Sequence, residues 1–487
     1  MIKISYRAVI SLLVFFTLFL SGCRSLRAPE TPYESWQAPD WSKATKVKDT
    51  VRPAIRDRKL QSDEPLTLAE LVAISFENSP STRQYWQSAK AREAELRQAQ
   101  SKWYPQANVS AQVSRQKQRY NESLSGQSQL GGSQDTDFAT YGPAVDITFL
   151  ILDFGGRNAD IEGSLQQLLA SNFQFNQSIQ DLLLNVETAY YTFFSAQAAA
   201  KVAEANVADA KTAHLIARQK FEAGLVTRLD VLQAKSNLDD ALYSLEDARG
   251  NVQTAKGNLA KVIGFSADTQ FSIVPPKEDI PRNIKTDEIT VLIDQALENR
   301  PDISALRAGV RAKEAAVRSA NSSLLPSITG GASADKNWHH DYETDDNLRE
   351  HEYMGYVKVE WNIFDGFYNL NKKRQAQAEA EEEKEKLIQA EIEASSDVWI
   401  KYYGYKTAVS KLVFSEAFLS SSKESYELAL EGYKAGLKDI LDLLDAQTKL
   451  SDARSKLIDS QKGLFIAVAE LAHSTGSLGS FKDEAAY

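Results

Sequence analysis

The 487-residue chain is 43% hydrophobic and carries a formal net charge of −10, so it is long enough for an extensive core and lacks the basic field that a nucleic-acid partner requires. Its single cysteine, Cys23, excludes an intrachain disulfide. Beyond the N-terminal leader no run reaches the ~18 consecutive apolar residues of a spanning helix, so any membrane crossing must be made by strands.

Lys3 and Arg7 precede a thirteen-residue apolar run from Ala8 to Leu20, followed by Ser21, Gly22 and Cys23. This reads as an export signal over residues 1–22, too short to span a bilayer. Its end resembles the bacterial lipobox, which implies cleavage before Cys23 and a covalent lipid there, N-palmitoyl and S-diacylglycerol. Arg24, in place of the aspartate that retains such lipoproteins at the inner membrane, implies sorting to the outer membrane. Loss of Lys3 and Arg7 takes the net charge from −10 to −12. Residues 23–65, with Pro29, Pro32, Pro39, Pro53 and Pro65 among polar residues, read as an extended tether.

At Thr67 the pattern becomes helical: Leu68, Leu71, Val72 and Phe76 share a face, and Glu70 stands at the capping-box position. Pro80 starts a second helix that must stop before Pro105. The period then drops to two, with Ala107, Val109, Ala111 and Val113 alternating against polar neighbours, and again with Val145, Ile147, Phe149 and Ile151. Between these runs the polar stretch from Tyr120 to Thr140 reads as a long hairpin loop. Asp153, Phe154, Gly155 and Gly156 break the hairpin, and helix formers then run to Gly224. The stretch from Arg157 to Phe221 predicts a helix about 100 Å long. Its return helix carries heptad seams, Val231, Leu238, Leu245, Val252 and Leu259 beside Ala234, Ala241, Ala248, Ala255 and Val262.

The chain then repeats itself. Pro80 and Pro105 are answered by Pro301 and Pro326, 221 residues on, and Asp153, Gly224 and Asp230 by Asp365, Gly436 and Asp442, 212 residues on. The expected boundaries are a first repeat over 66–270 (hairpin about 106–152, long helices and tip about 157–263), a linker over 271–285, a second repeat over 286–476 (hairpin about 327–364, long helices and tip about 367–474) and a tail over 477–487. The second-copy strands read as about Ile328 to Ala334 and Gly355 to Ile363, joined by the polar loop WHHDYETDDNLREH. Its seams are Leu443, Leu450, Leu457, Leu464 and Leu471 with Ala446, Ala453, Ser460, Ala467 and Ser474.

Four strands cannot close a barrel, and an open edge in hydrocarbon leaves backbone groups unpaired. Eight strands from two copies would be plugged by side chains, so twelve strands from three copies is the economical closure. Trp103, Tyr104, Trp361, Phe364, Phe367 and Tyr368 fit an interfacial aromatic girdle or ordinary core equally well.

The paired prolines, the two Asp/Gly breaks, and FEAGLVTRLDVLQAKSNL with its answer YKAGLKDILDLLDAQTKL resemble the TolC-like outer-membrane efflux proteins over about residues 67 to 476. With the lipobox, the chain is similar to the lipoprotein branch that serves multidrug pumps. The resemblance implies a mixed α and β membrane protein: a homotrimeric 12-stranded β-barrel continuous with a 12-helix periplasmic α-barrel. It implies docking of a periplasmic membrane-fusion adaptor at the tips, at Gly224, Leu225, Gly436 and Leu437, and an inner-membrane pump, proton-driven in preference to ABC. Asp442 and Asp445 match carboxylates that line the periplasmic aperture, and Lys438 and Tyr433 match residues that tie the tips shut, partly to Asp230. The i,i+3 spacing puts Asp442 and Asp445 on one helix face. Six such carboxylates about one axis would favour cations.

Other features carry less. His339, His340 and His351 among acidic residues read as a polar external loop with no metal-binding spacing. The run from Glu379 to Lys386 reads as a solvated helix face, and Met1 and Met354 are too few for a thioether relay. No phosphate loop, Cys/His pairing or nucleophile motif is present, so the expectation is a passive duct without cofactor or catalytic residues. Two alternatives share parts of the pattern: an outlet for type I protein secretion, and a periplasmic coiled-coil adaptor or structural lipoprotein, which would leave the duplicated strands unexplained.

Overall fold

The computed structural model describes residues 65–121, 133–276, 288–342 and 344–478, all within the compact unit that begins at Lys59. The leader, Cys23 and the tether lie outside the described residues, as does most of the 271–285 linker.

Two short helices open the first copy, α1 (Leu68–Asn78) and α2 (Pro80–Gln100). Thr67 Oγ1 accepts from Glu70 N at 3.3 Å while Glu70 Oε2 accepts from Thr67 N at 2.8 Å, which satisfies two of the first-turn amides. Pro80 begins α2, where its missing N–H costs nothing. The second copy repeats the pair as α5 (Ile289–Asn299) and α6 (Pro301–Ser322).

Four antiparallel strands follow in the order β1 (Gln106–Asn121), β2 (Ser133–Leu152), β3 (Ser327–Asp341) and β4 (Asn347–Glu360). The two hairpins join through β2 and β3, so β1 and β4 each keep one edge without a partner among the described residues. The register places Val109, Val145, Ala334 and Tyr353 on one rung, and Ala107, Ile147, Ala332 and Gly355 on the next of the same face. The other face carries Asn108, Asp146, Ser333 and Met354.

The strands run further than alternation suggested. β2 starts at Ser133, inside the stretch read as loop, and His339, His340 and His351 lie in β3 and β4. Above the apolar rungs both faces are polar, so the period of two fades while the backbone ladder continues. Side-chain pairs replace apolar contact there: Arg115 donates to both carboxylate oxygens of Asp137 at 2.9 and 2.8 Å, and His339 bridges Thr140 and Glu350.

Strand turns into helix at Phe154 (φ 52°) and at Phe367 (φ 68°), non-glycine residues in the left-handed region. Asp153 and Asp365 hold these turns by accepting from the amides of Arg157 and Asn369, the latter at 2.9 Å. Trp103 lies under the Arg157 guanidinium at 3.6 Å, and Trp361 Nε1 donates to Leu324 O at 3.1 Å. Both rings thus bind the junctions themselves.

From these junctions run α3 (Gly156–Glu222) and α7 (Tyr368–Ala435), of 67 and 68 residues, each about 100 Å long. Neither return helix, α4 (Arg228–Val262) nor α8 (Ile440–Ser474), exceeds 35 residues. The remaining length of α3 packs on α2 and α6, and that of α7 on α6 and α5. Ala234, Leu245, Ala255 and Leu259 of α4 and Leu443, Ala446, Leu450 and Leu464 of α8 are buried along the seams, at roughly 1.5–3 kcal/mol for each large side chain. Where the shorter helices meet, Leu71, Val186, Tyr190, Phe193, Leu259 and Ile263 form one cluster, closed by a parallel bridge between Leu66 and Ile273. His473 Nε2 and Asp181 Oδ1, at 2.8 Å, tie the two copies, while Arg300 pairs with Asp302 and Asp397 at 2.9 Å each within the second copy.

Glu187, half-buried beside Val186 in α3, has its carboxyl pushed from 4.5 up to about 7 by burial. The folded protein therefore binds this proton more tightly than the unfolded chain. The contribution of Glu187 to stability is greatest below pH ~4.5, falls as pH rises towards 7, and is level above that. Glu187→Gln is expected to flatten this segment and to stabilise at pH 8 by about 2 kcal/mol, partial exposure screening some of the shift. Denaturant midpoints measured from pH 4.5 to 8 check it; parallel curves for both proteins would refute the assignment.

Candidate functional site

At the end of the long helices farthest from the sheet, two turns lie side by side. Helix α3 ends into Gly224 (φ 72°) and α7 into Gly436 (φ 78°), where a left-handed residue lets Leu225 N donate to Lys220 O and Leu437 N to Gly432 O, each at 2.8 Å. Leu225 and Leu437 are 73% and 82% exposed, an apolar tip on each hairpin.

The two tips differ chemically although they descend from one pattern. In the first, Thr227 caps α4: Thr227 N donates to Asp230 Oδ2 at 2.8 Å and Asp230 N to Thr227 Oγ1 at 3.4 Å. Asp230 is consumed in that box. In the second, the cap is Asp439, whose Oδ1 accepts from Asp442 N at 2.9 Å. A reciprocal box would place two carboxylates together, so Asp442 instead meets Lys438 Nζ at 3.4 Å. One turn on, Asp445 pairs with Lys449 at 2.6 Å. Asp442 and Asp445 thus share a face of α8, each beside a lysine, and all four side chains are about half exposed.

Tyr433 is buried between the two tips. Its side chain is 1% exposed, within a cluster of Ala217, Ala234, Ile440, Leu443 and Ala446 that joins both hairpins. Among the described residues its hydroxyl has no hydrogen-bond partner, and burial pushes the phenol up, with nearby Asp230 adding to the shift. Lys220 Nζ sits 4.4 Å from the ring centroid and donates to Tyr433 O.

Sequence reading missed Lys220, Gly432 and Asp439. A Cβ on Gly432 would come within 2.8 Å of Lys438 Cγ, so the glycine makes room for that side chain. The available signal was mismatch between copies: at the 212-residue offset Lys220 faces Gly432, Val226 faces Lys438, Thr227 faces Asp439 and Gln233 faces Asp445. Of the four charged residues in these mismatched pairs, Lys438, Asp439 and Asp445 stand in the second copy and Lys220 in the first. Further along, Arg454 reaches from α8 to Asp209 at 2.8 Å and Asn206 at 2.7 Å in α3. The three histidines do not converge, since His339 faces one side of the sheet and His340 and His351 the other. Among the described residues no group of His, Cys, Asp or Glu is arranged to hold a metal ion.

The family described as outer membrane efflux protein matches residues 71–265 and again 292–477. Protein CyaE of Bordetella pertussis is 26% identical over 421 residues, covering 85% of each chain. The antibiotic efflux pump outer membrane protein ArpC of Pseudomonas putida is 23% identical over 473 residues, 94% of this chain and 93% of its own. Among solved structures, the CmeC outer membrane channel of Campylobacter jejuni superposes with a TM-score of 0.71 at 17% identity, over 94% of this chain and 95% of that one.

Proposed function

This chain belongs to the outer membrane efflux protein family, and from that premise we propose that three copies of it close a twelve-stranded barrel continuous with a twelve-helix periplasmic barrel. One observation carries the reading: a four-stranded sheet with an apolar face and an unpaired edge on both sides. Val109 on one edge strand is 78% exposed, and Val357 and Val359 on the opposite edge strand are exposed as well, an arrangement that water disfavours and that lipid plus neighbouring strands would cover.

The protein is the outer-membrane exit duct of an efflux system, and the cargo we propose is small molecules such as drugs or toxic compounds; ArpC is named for antibiotics. At the tips Asp442 and Asp445 of each copy line the aperture and favour cations, and Lys438, Tyr433 and Asp230 hold it closed. The exposed tips at Gly224, Leu225, Gly436 and Leu437 receive the periplasmic adaptor, and a proton-driven inner-membrane pump supplies the energy. Cys23 bears the N-palmitoyl and S-diacylglycerol anchor.

Purification in mild detergent is expected to yield a trimer that opens conducting pores in planar bilayers; a monomer without pores would overturn the reading. In such pores Asp442→Ala with Asp445→Ala is expected to weaken divalent-cation block at least roughly tenfold, the factor given by about 1.4 kcal/mol. Unchanged block and conductance would place the constriction elsewhere. Deletion of the gene is expected to lower tolerance to small toxic compounds. Intact tolerance with loss of a secreted polypeptide would move the chain to the secretion alternative.

A further inference from the structure

Strand alternation sorts charge between the two faces of the sheet. On the face of Val109, Val145 and Val357 the described strand residues hold four permanent cations, Arg115, Lys117, Lys336 and Arg349, against one carboxylate, Asp137. The opposite face holds six carboxylates, among them Asp146, Asp335 and Glu352, against Lys358 alone. In a chain of net charge −10, a basic outward face is a local reversal of sign.

The cations are also confined in height. Apolar rungs climb from Ile328 and Val359, next to the helices, to Val109, Val145, Ala334 and Tyr353. The cations occupy the rungs above, towards the hairpin turns: Lys336 beside His351, then Arg349 beside Trp338, then Arg115 and Lys117. Aromatic rings lie among them, with Tyr141 and Trp338 stacked at 5.8 Å and Lys336 Nζ 5.0 Å from the Trp338 centroid. Arg115 is committed to Asp137, and Lys117 reaches that carboxylate only at 3.8 Å. Lys336 and Arg349 are exposed and have no acidic partner among the described residues. Amphipathic rings with unpaired cations just above an apolar band stand at the depth of lipid headgroups. Because the long helices occupy the periplasmic side, those headgroups belong to the outer leaflet.

We propose that this outward belt binds the phosphate groups of a phosphorylated, acylated sugar lipid of the outer leaflet. The guanidinium of Arg349 on β4 offers a fork to two phosphate oxygens, Lys336 on the adjacent β3 offers a mobile point charge, and Lys117 offers another on β1, the edge that meets β4 of the next copy in the proposed barrel. The occupant is a lipid because the apolar rungs directly below the cations would meet its acyl chains, which a soluble phosphate lacks. The inference rests on the proposed barrel, whose outer face is the one described.

Native mass spectrometry of the full chain in neutral detergent, with bis-phosphorylated lipid A as probe and its dephosphorylated form as control, tests it. The wild-type trimer is expected to retain the phosphorylated lipid, and Lys117→Gln, Lys336→Gln and Arg349→Gln to weaken it about fivefold each and roughly a hundredfold together. Equal retention of both lipids by the wild-type trimer overturns the belt without recourse to any variant. Displacement by millimolar inorganic phosphate as complete as by lipid A also overturns it, since the site would then serve a soluble anion. A protein that runs only as a monomer removes the barrel and the belt together, whereas trimers that do not discriminate between the lipids remove the belt alone.

Discussion

Tyr433→Ala is expected to destabilise the protein by about 3–5 kcal/mol and to loosen the periplasmic tips, while Tyr433→Phe is expected to be neutral or slightly stabilising. The ring is 1% exposed and is packed by both hairpins, so truncation leaves a cavity in the cluster that joins them. The hydroxyl is buried without a partner among the described residues, so its removal also removes a desolvation cost. A lock made of side-chain hydrogen bonds from Tyr433 predicts the reverse order, with phenylalanine nearly as damaging as alanine. Urea midpoints rank the two variants, and pore conductance shows whether loosening opens the duct. Loss of Lys220, whose amine lies over the ring and donates to the Tyr433 carbonyl, is expected to fall between them. Equal effects of Tyr433→Phe and Tyr433→Ala would return the hydroxyl to the central role.

Val109→Arg is expected to lower trimer recovery while Asn108→Arg, one residue away, is tolerated. Successive residues of β1 face opposite sides of the sheet, Val109 on the rung of Val145 and Asn108 on the rung of Asp146. Arginine on the lipid face costs about 2–4 kcal/mol at the bilayer midplane and less at the upper apolar rung where Val109 lies, and the substitution enters once per copy, so a three-copy barrel bears it threefold. On the polar face the same guanidinium meets water and carboxylates. Recovery of trimers from membranes in mild detergent measures both. Tolerance of Val109→Arg with loss of Asn108→Arg would invert the sheet, and equal tolerance of both would remove it from the membrane.

The internal duplication, the order of elements, the two helix breaks and the heptad seams were legible without coordinates because each is a local or periodic signal. Pro80 and Pro301 cannot lie inside a helix, Val109 and Val113 alternate with polar residues, and Leu245 and Leu259 recur at heptad spacing. Family resemblance placed Asp442, Asp445, Lys438 and Tyr433 at the tips. It did not show that Asp230 is spent in a capping box while Asp442 faces Lys438, because that depends on whether threonine or aspartate stands at the cap.

Sequence by itself determined which stretches become strands and helices and that the pattern occurs twice, since hydrophobic spacing and the geometry of proline and glycine act over a few residues. Only the tertiary structure decided how far the strands climb beyond their apolar rungs, that Tyr433 turns inward, and that Arg300 meets Asp397 and His473 meets Asp181. It also decided that the strands carry cations on the face of their valines and carboxylates on the other. Those outcomes depend on which side chains approach one another across the fold, and charge pairing and burial at such distances in the chain leave no period in the sequence.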